Sequence, residues 1–125
     1  MKRILIIDDS RDLLDVMQIF LDLKGYDVKT LTACNDILDT VKEYNPDLLI
    51  VDVFLANEDG REICKKLRDH EATKNLCILL LSGSPAILAE YKKFGANSFI
   101  EKPFDINHLL DKIEDVLSLC DERKY

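Results

Sequence analysis

Two adjacent carboxylates close the segment ILIIDDS (residues 4–10), where Asp8 and Asp9 follow four apolar residues. Asp52 ends a second apolar run, DLLIVD; Ser82 ends a third, CILLLS; Lys102 and Pro103 come directly after a fourth, SFIE. Runs this continuously apolar read as strands buried on both faces, and placing charge beside them costs free energy. Asp is a common turn residue, and Asp9 or Ser10 is a suitable helix cap. Capping does not account for a third carboxylate, a hydroxyl and an ammonium at the matching places of other strands. If the strands are parallel, all these groups meet at one edge of a sheet. Three carboxylates at close quarters repel one another unless a cation sits among them. Mg²⁺ suits such a site, because it takes hard oxygen ligands and keeps several waters. A carboxylate with a metal on one side and Lys102 on the other can attack a phosphoryl group, its developing charge neutralised from both sides.

The elements that must position these groups alternate along the chain. Apolar runs at 2–7, 26–31, 47–52, 77–82 and 98–101 are separated by helical patterns. Leu13, Val16, Met17 and Phe20 make a stripe at helical spacing, with Gly25 as the stop. Ile37, Leu38, Val41 and Tyr44 make a second, stopped by Asn45-Pro46, and Ile63, Cys64 and Leu67 a third. Ser84-Pro85 starts a fourth helix that Gly95 ends. Ile106, Leu109, Leu110, Ile113, Val116 and Leu117 make the fifth, with Asp105 as its cap. Five strand-then-helix units predict an α/β fold, a doubly wound five-stranded parallel sheet with helices on both faces. The first, third and fourth strands should be central, and the alternating YDVKTL should be an edge. Such sheets bind ligands at the carboxyl ends of their strands, where the polar groups fall.

Bulk properties narrow the function further. A chain of 125 residues with 47% hydrophobic and 33% charged residues is one globular domain. The net charge of −7 argues against a nucleic-acid surface, which needs clustered Lys and Arg. The longest apolar run, residues 76–81, is too short for a bilayer, and the N-terminus meets Asp8 too soon for a signal peptide. Cys34, Cys64, Cys77 and Cys120 lie far apart with no C-x-x-C pair, so the expectation is four buried free thiols in a reducing compartment, no zinc site, and a cytoplasmic protein. His70 and His108 have no ligand-spaced neighbour.

The motifs IIDDS, LLIVDVFLANEDG, LLLSGS and GANSFIEKPF, in this order and spacing, resemble the receiver domain of two-component response regulators. The resemblance covers nearly the whole chain and implies a receiver domain over 1–120 with a short C-terminal tail over 121–125. It implies the flavodoxin-like, chemotaxis-regulator-like sandwich with strand order 2-1-3-4-5. It implies Asp52 as phospho-acceptor, Asp9 as a direct Mg²⁺ ligand, Asp8 acting mainly through a water, and the backbone carbonyl of Phe54 as a further ligand. Lys102 would contact the phosphoryl group, with a cis Lys102–Pro103 peptide. Ser82 and Phe99 would be the switch residues. The implied partners are a sensor histidine kinase or histidine phosphotransfer protein and a downstream protein target, with no direct nucleic-acid or membrane binding. The domain would be a phospho-acceptor rather than an enzyme, catalysing only its own phosphorylation and dephosphorylation. Departures from the pattern are Ala56 in place of a frequent proline, Ser82 in place of threonine, and Phe99 in place of tyrosine. Two other readings fit less well. A haloacid-dehalogenase-like phosphatase wants a second Asp where Phe54 stands, and a flavodoxin-like binder wants a Ser/Thr/Gly-rich loop where Asp8-Asp9 stands.

Overall fold

A computed structural model describes residues 1–123, with side chains through residue 121. Its elements are β1 (Arg3–Ile7), α1 (Arg11–Leu23), β2 (Asp27–Leu31), α2 (Ile37–Tyr44), β3 (Leu48–Asp52), α3 (Gly60–Arg68), β4 (Cys77–Ser82), α4 (Pro85–Leu88), β5 (Ser98–Glu101) and α5 (Ile106–Arg123). The five strands form one parallel sheet in the order β2-β1-β3-β4-β5. The predicted fold class, the central strands and the β2 edge are all found. α5 continues the helix through 121–123, and residues 124–125 of the predicted tail lie outside the described residues.

Strand periodicity divides the core in two. Ile4 and Ile6 of β1 point to the layer of α1 and α5, where Leu14, Met17, Leu21, Leu109 and Ile113 pack. Leu5 and Ile7 point the other way, to the layer of α2, α3 and α4, with Ile37, Val41, Ile63, Leu67 and Leu88. β1, β3 and β4 are central and buried on both faces, which explains their unbroken apolar runs. Among the described residues no helix is long and apolar enough to cross a membrane.

Three expectations are corrected. The buried row of α1 is Leu14, Met17 and Leu21, whereas Val16 and Phe20 are exposed and Leu13 only partly covered. The helix carries two apolar rows one residue apart, and contact with β1 and α5 selects the second. The fourth helix does not reach Gly95: α4 is four residues long, and turns with i→i+3 hydrogen bonds carry the chain from 89 to 95. Its far end is pinned from outside, because the Asn97 side-chain oxygen accepts from Ile78 N–H (2.8 Å) and Arg68 Nη2 (3.0 Å), and the Gly95 carbonyl accepts from Arg68 Nε (2.8 Å). The cysteines are not four free thiols. Cys77 and Cys120 form a disulfide with Cα atoms 6.0 Å apart, while Cys34 and Cys64 are free and buried. Cys77 opens β4 and Cys120 lies in the last turns of α5, so helix packing on the sheet brings together residues 43 apart in sequence. This pairing removes the argument for a reducing compartment that rested on cysteine spacing.

Candidate functional site

The carboxyl edge of the sheet gathers the predicted polar groups. Asp8 follows β1, Asp52 ends β3, Ser82 ends β4 and Lys102 follows β5. Register enforces this: Ile7 pairs with Val51, Asp52 with Leu81 and Ser82 with Glu101. Asp8, Asp52 and Ser82 are buried, and Asp9 is exposed. Oxygen atoms of Asp8, Asp9 and Asp52 all lie within 4.8 Å of one another. The cap of α1 is Ser10, whose Oγ accepts from Leu13 N–H, so neither aspartate is used for capping. Asp8 Oδ1 accepts from Ser10 N–H at 2.9 Å, which fixes its carboxylate.

Lys102 brings a cation to two of the three carboxylates. Its Nζ lies 2.6 Å from Asp8 Oδ2 and 3.0 Å from Asp52 Oδ2. Burial works against the ammonium, but its hydrogen bonds to Asp8 and Asp52 outweigh that and hold its pKa above the usual lysine value. The Lys102–Pro103 peptide is cis, as expected. Burial raises the pKa of Asp52, and the Asp8 charge adds to this; Lys102 and the Phe54 N–H, 3.3 Å from Asp52 Oδ1, oppose it. Ser82 Oγ accepts from Ser84 N–H at 3.0 Å, and its own O–H can donate into the site. Phe99 is half-buried, its ring 4.9 Å from that of Tyr91, with Lys112 Nζ 4.8 Å above it. His70 and His108 are exposed and take no part in the cluster.

The raised pKa of Asp52 has a measurable consequence. The folded state holds this proton more tightly than the unfolded chain does. Stability is therefore lost as pH rises from the ordinary aspartate value through the raised one. Asp52→Asn is neutral throughout, so it should raise stability at pH 7 and flatten the pH dependence above the ordinary aspartate range. Thermal unfolding across that range checks both. An Asn variant less stable than the parent at pH 7 would show that the Lys102 contact outweighs burial.

The sequence marks residues 56–60 as a loop after Asp52, less rigid with Ala56 in place of proline, but does not show how that loop closes. Gly60 N–H donates to the Val53 carbonyl at 2.8 Å, and Phe54 bridges to Asp59. Asp59 caps α3 and holds Arg61 at 2.6 Å, and Arg61 in turn lies over the Phe94 ring. The Asp59-Gly60 dipeptide before a helical pattern was the available signal.

The family model of the response regulator receiver domain matches residues 4–114. The chain belongs to that family. Among curated relatives, the receiver is 33% identical over 123 residues to the DNA-binding dual master transcriptional regulator RpaA of Synechocystis sp., covering 97% of this chain and 51% of that protein. It is 34% identical over 117 residues to the response regulator ArlR of Staphylococcus aureus, covering 94% and 53%. The chain thus spans about half the length of these relatives. Among solved structures, the chemotaxis protein CheY4 of Vibrio cholerae superposes with a TM-score of 0.84 at 30% identity, covering 93% of this chain and 98% of that one. A CheY-like receiver domain from Methanospirillum hungatei gives 0.87 at 26%, covering 98% of each.

Proposed function

We propose that this receiver is a phosphorylation switch that accepts a phosphoryl group on Asp52 from a sensor histidine kinase or histidine phosphotransfer protein. The supporting observation is the arrangement at the sheet edge: a buried Asp52 with Lys102 against one of its oxygens and two further carboxylates within 4.8 Å. A carboxylate oxygen of Asp52 attacks phosphorus; the new O–P bond forms as the P–N bond to the donor imidazole breaks, and that electron pair stays on the imidazole nitrogen. Lys102 is placed to neutralise phosphoryl charge. The donor set of Asp8, Asp9, Asp52 and the Phe54 carbonyl is all hard oxygen and fits Mg²⁺, with Asp8 acting through a water. When bound, the metal supplies charge neutralisation at the phosphoryl oxygens.

Output follows from the same edge. Phosphorylation adds negative charge and acceptors within reach of Ser82 and Lys102. Ser82 donates to a phosphoryl oxygen, space opens beneath α4, and Phe99 turns into it. The brevity of α4 and the turns after it leave little helix to displace. A downstream protein target then reads the face made by α4, β5 and α5. Asn107-His108 stands on this face where an arginine commonly helps join receiver pairs, so a heterologous partner is favoured over a tight homodimer. The site is cytoplasmic in this reading, where kinase phospho-donor domains reside. The net charge of −7 gives no surface of its own for nucleic acid; DNA binding, as in the first relative's name, would need a further domain.

Incubation with acetyl phosphate and Mg²⁺ should add one base-labile phosphoryl group, and Asp52→Asn should abolish it. With beryllofluoride, amide exchange should change across 83–101 as well as around Asp9, Asp52 and Lys102. Full phosphorylation of the Asn variant would sink the assignment. An unmoved 83–101 region would show phosphate binding without switching.

A further inference from the structure

We infer that Cys77–Cys120 is a thiol–disulfide exchange site, opened at Cys120 by a small external thiol that carries carboxylates. The pair sits at the amino end of β4, the opposite edge of the sheet from Asp52. Two clefts of opposite charge flank it. The larger, about 680 Å³, is lined by Arg68, Lys74 and Lys92 and reaches Cys120; Lys74 is paired with Glu71 at 2.7 Å, so Arg68 and Lys92 carry most of its positive charge. The smaller, about 190 Å³, reaches both cysteines but is lined by Asp47, Glu71 and Asp121, the last paired with Lys2 at 3.0 Å. The attacking species in such exchange is a thiolate. An anion is drawn into the cationic cleft and kept out of the acidic one, so Cys120 is the sulfur it meets. Both cysteines are buried, Cys77 3% and Cys120 8% exposed, and Cys77, on a central strand and away from the cationic cleft, is the leaving sulfur.

The electrons balance with the external thiol as reductant. Its thiolate attacks Cys120 Sγ, a mixed disulfide forms, and the Cys77–Cys120 bond breaks with its electron pair on Cys77 Sγ. That sulfur takes a proton from water, and the resulting S–H can donate to the Val116 carbonyl, 3.5 Å away. A second external thiolate attacks the external sulfur of the mixed disulfide. Cys120 leaves as a thiolate and the external disulfide is released. Two electrons have entered the pair, and two external thiols have been oxidised. The external disulfide drives the reverse reaction. The other two cysteines are built differently. The Cys64 thiol is pushed up to about 12 by burial, and Cys34 lies against Thr40 Oγ1 at 3.5 Å. Oxidised, the pair ties the last turns of α5 to β4; reduced, that covalent tie is gone.

The test equilibrates the native protein in glutathione buffers of varied ratio, quenches with acid, alkylates after denaturation and maps the peptides. Cys77 and Cys120 should convert together as a two-electron couple, with amides near 117–121 exchanging faster in the reduced form. Cys77→Ser should trap glutathione on Cys120, whereas Cys120→Ser should leave Cys77 unmodified. Lys74→Gln with Lys92→Gln should slow reduction by glutathione about five-fold and slow reduction by 2-mercaptoethanol, whose thiolate carries no carboxylates, by less. The wild-type conversion and the lysine variants carry the test if the serine variants do not fold. A pair indifferent to the buffer, a mixed disulfide on Cys77, or equal slowing of both thiols would overturn the proposal.

Discussion

Replacing Lys102 by Met is expected to cost about 3 kcal/mol of stability at pH 7, mostly recoverable with acid. Removing one partner from a buried ion pair leaves the other charge without compensation, at about 3–5 kcal/mol. The lower end applies because the Lys102 side chain is 25% exposed. Met keeps the length of the stem, so the loss reports charge more than packing. Lys102 contacts both Asp8 and Asp52, and at Asp52 it opposes the effect of burial, so its removal should raise the Asp52 pKa further in the folded state. A carboxylate with a raised folded pKa loses stability as pH rises through that value. The deficit should therefore be small near pH 4 and grow towards neutrality. Mg²⁺ should raise the melting temperature of the variant more than that of the parent, since the metal can balance the same oxygens. Urea unfolding at several pH values, with and without Mg²⁺, measures this. A deficit that does not vary with pH would place the role of Lys102 in the packing of its aliphatic stem.

Gly60→Ala should damage the site from outside it. A Cβ at Gly60 would collide with the Asp52 carbonyl oxygen and stand 2.9 Å from its carbon and 3.0 Å from Val53 Cα. These are backbone atoms of the β3 end, so relief requires moving Asp52 itself or pulling α3 away. Overpacking of this kind costs about 1–3 kcal/mol, and contact with backbone belongs at the upper end. Phosphorylation by acetyl phosphate should fall by about tenfold or more, since small misplacements of reacting groups are costly. Gly83→Ala is the control. It lies between Ser82 and Ser84, yet its Cβ would meet only the Lys102 carbonyl oxygen at 3.9 Å. It should change stability by less than about 0.5 kcal/mol. If Gly60→Ala behaved like Gly83→Ala, the close approach of α3 to the end of β3 would not be constraining the site.

The site was legible because a parallel sheet turns one-dimensional information into a three-dimensional edge. Each strand runs the same way, so the residue ending each apolar run lands on the same side. Asp8, Asp52, Ser82 and Lys102 are grouped by the order of the chain alone. Helix starts were equally local, since Ser10, Asp36 and Ser84 each cap a helix through their own side chains. What only the tertiary structure decided are the matters that depend on contacts between distant segments. The sequence carries two apolar rows on α1 with the same period, and only packing against β1 and α5 selects Leu14, Met17 and Leu21. The start of α4 is local, but its end is not: Arg68 and Ile78 pin residues 95–97 and cut the helix short. The approach of Gly60 to Asp52 depends on how α3 leans on β3. Cys77 and Cys120 show no spacing signal, because a 43-residue separation carries no geometry until α5 folds back along the sheet. Local patterns fix where each element starts and which groups sit at its ends; the faces elements turn to one another are fixed by long-range packing, which no single window of sequence contains.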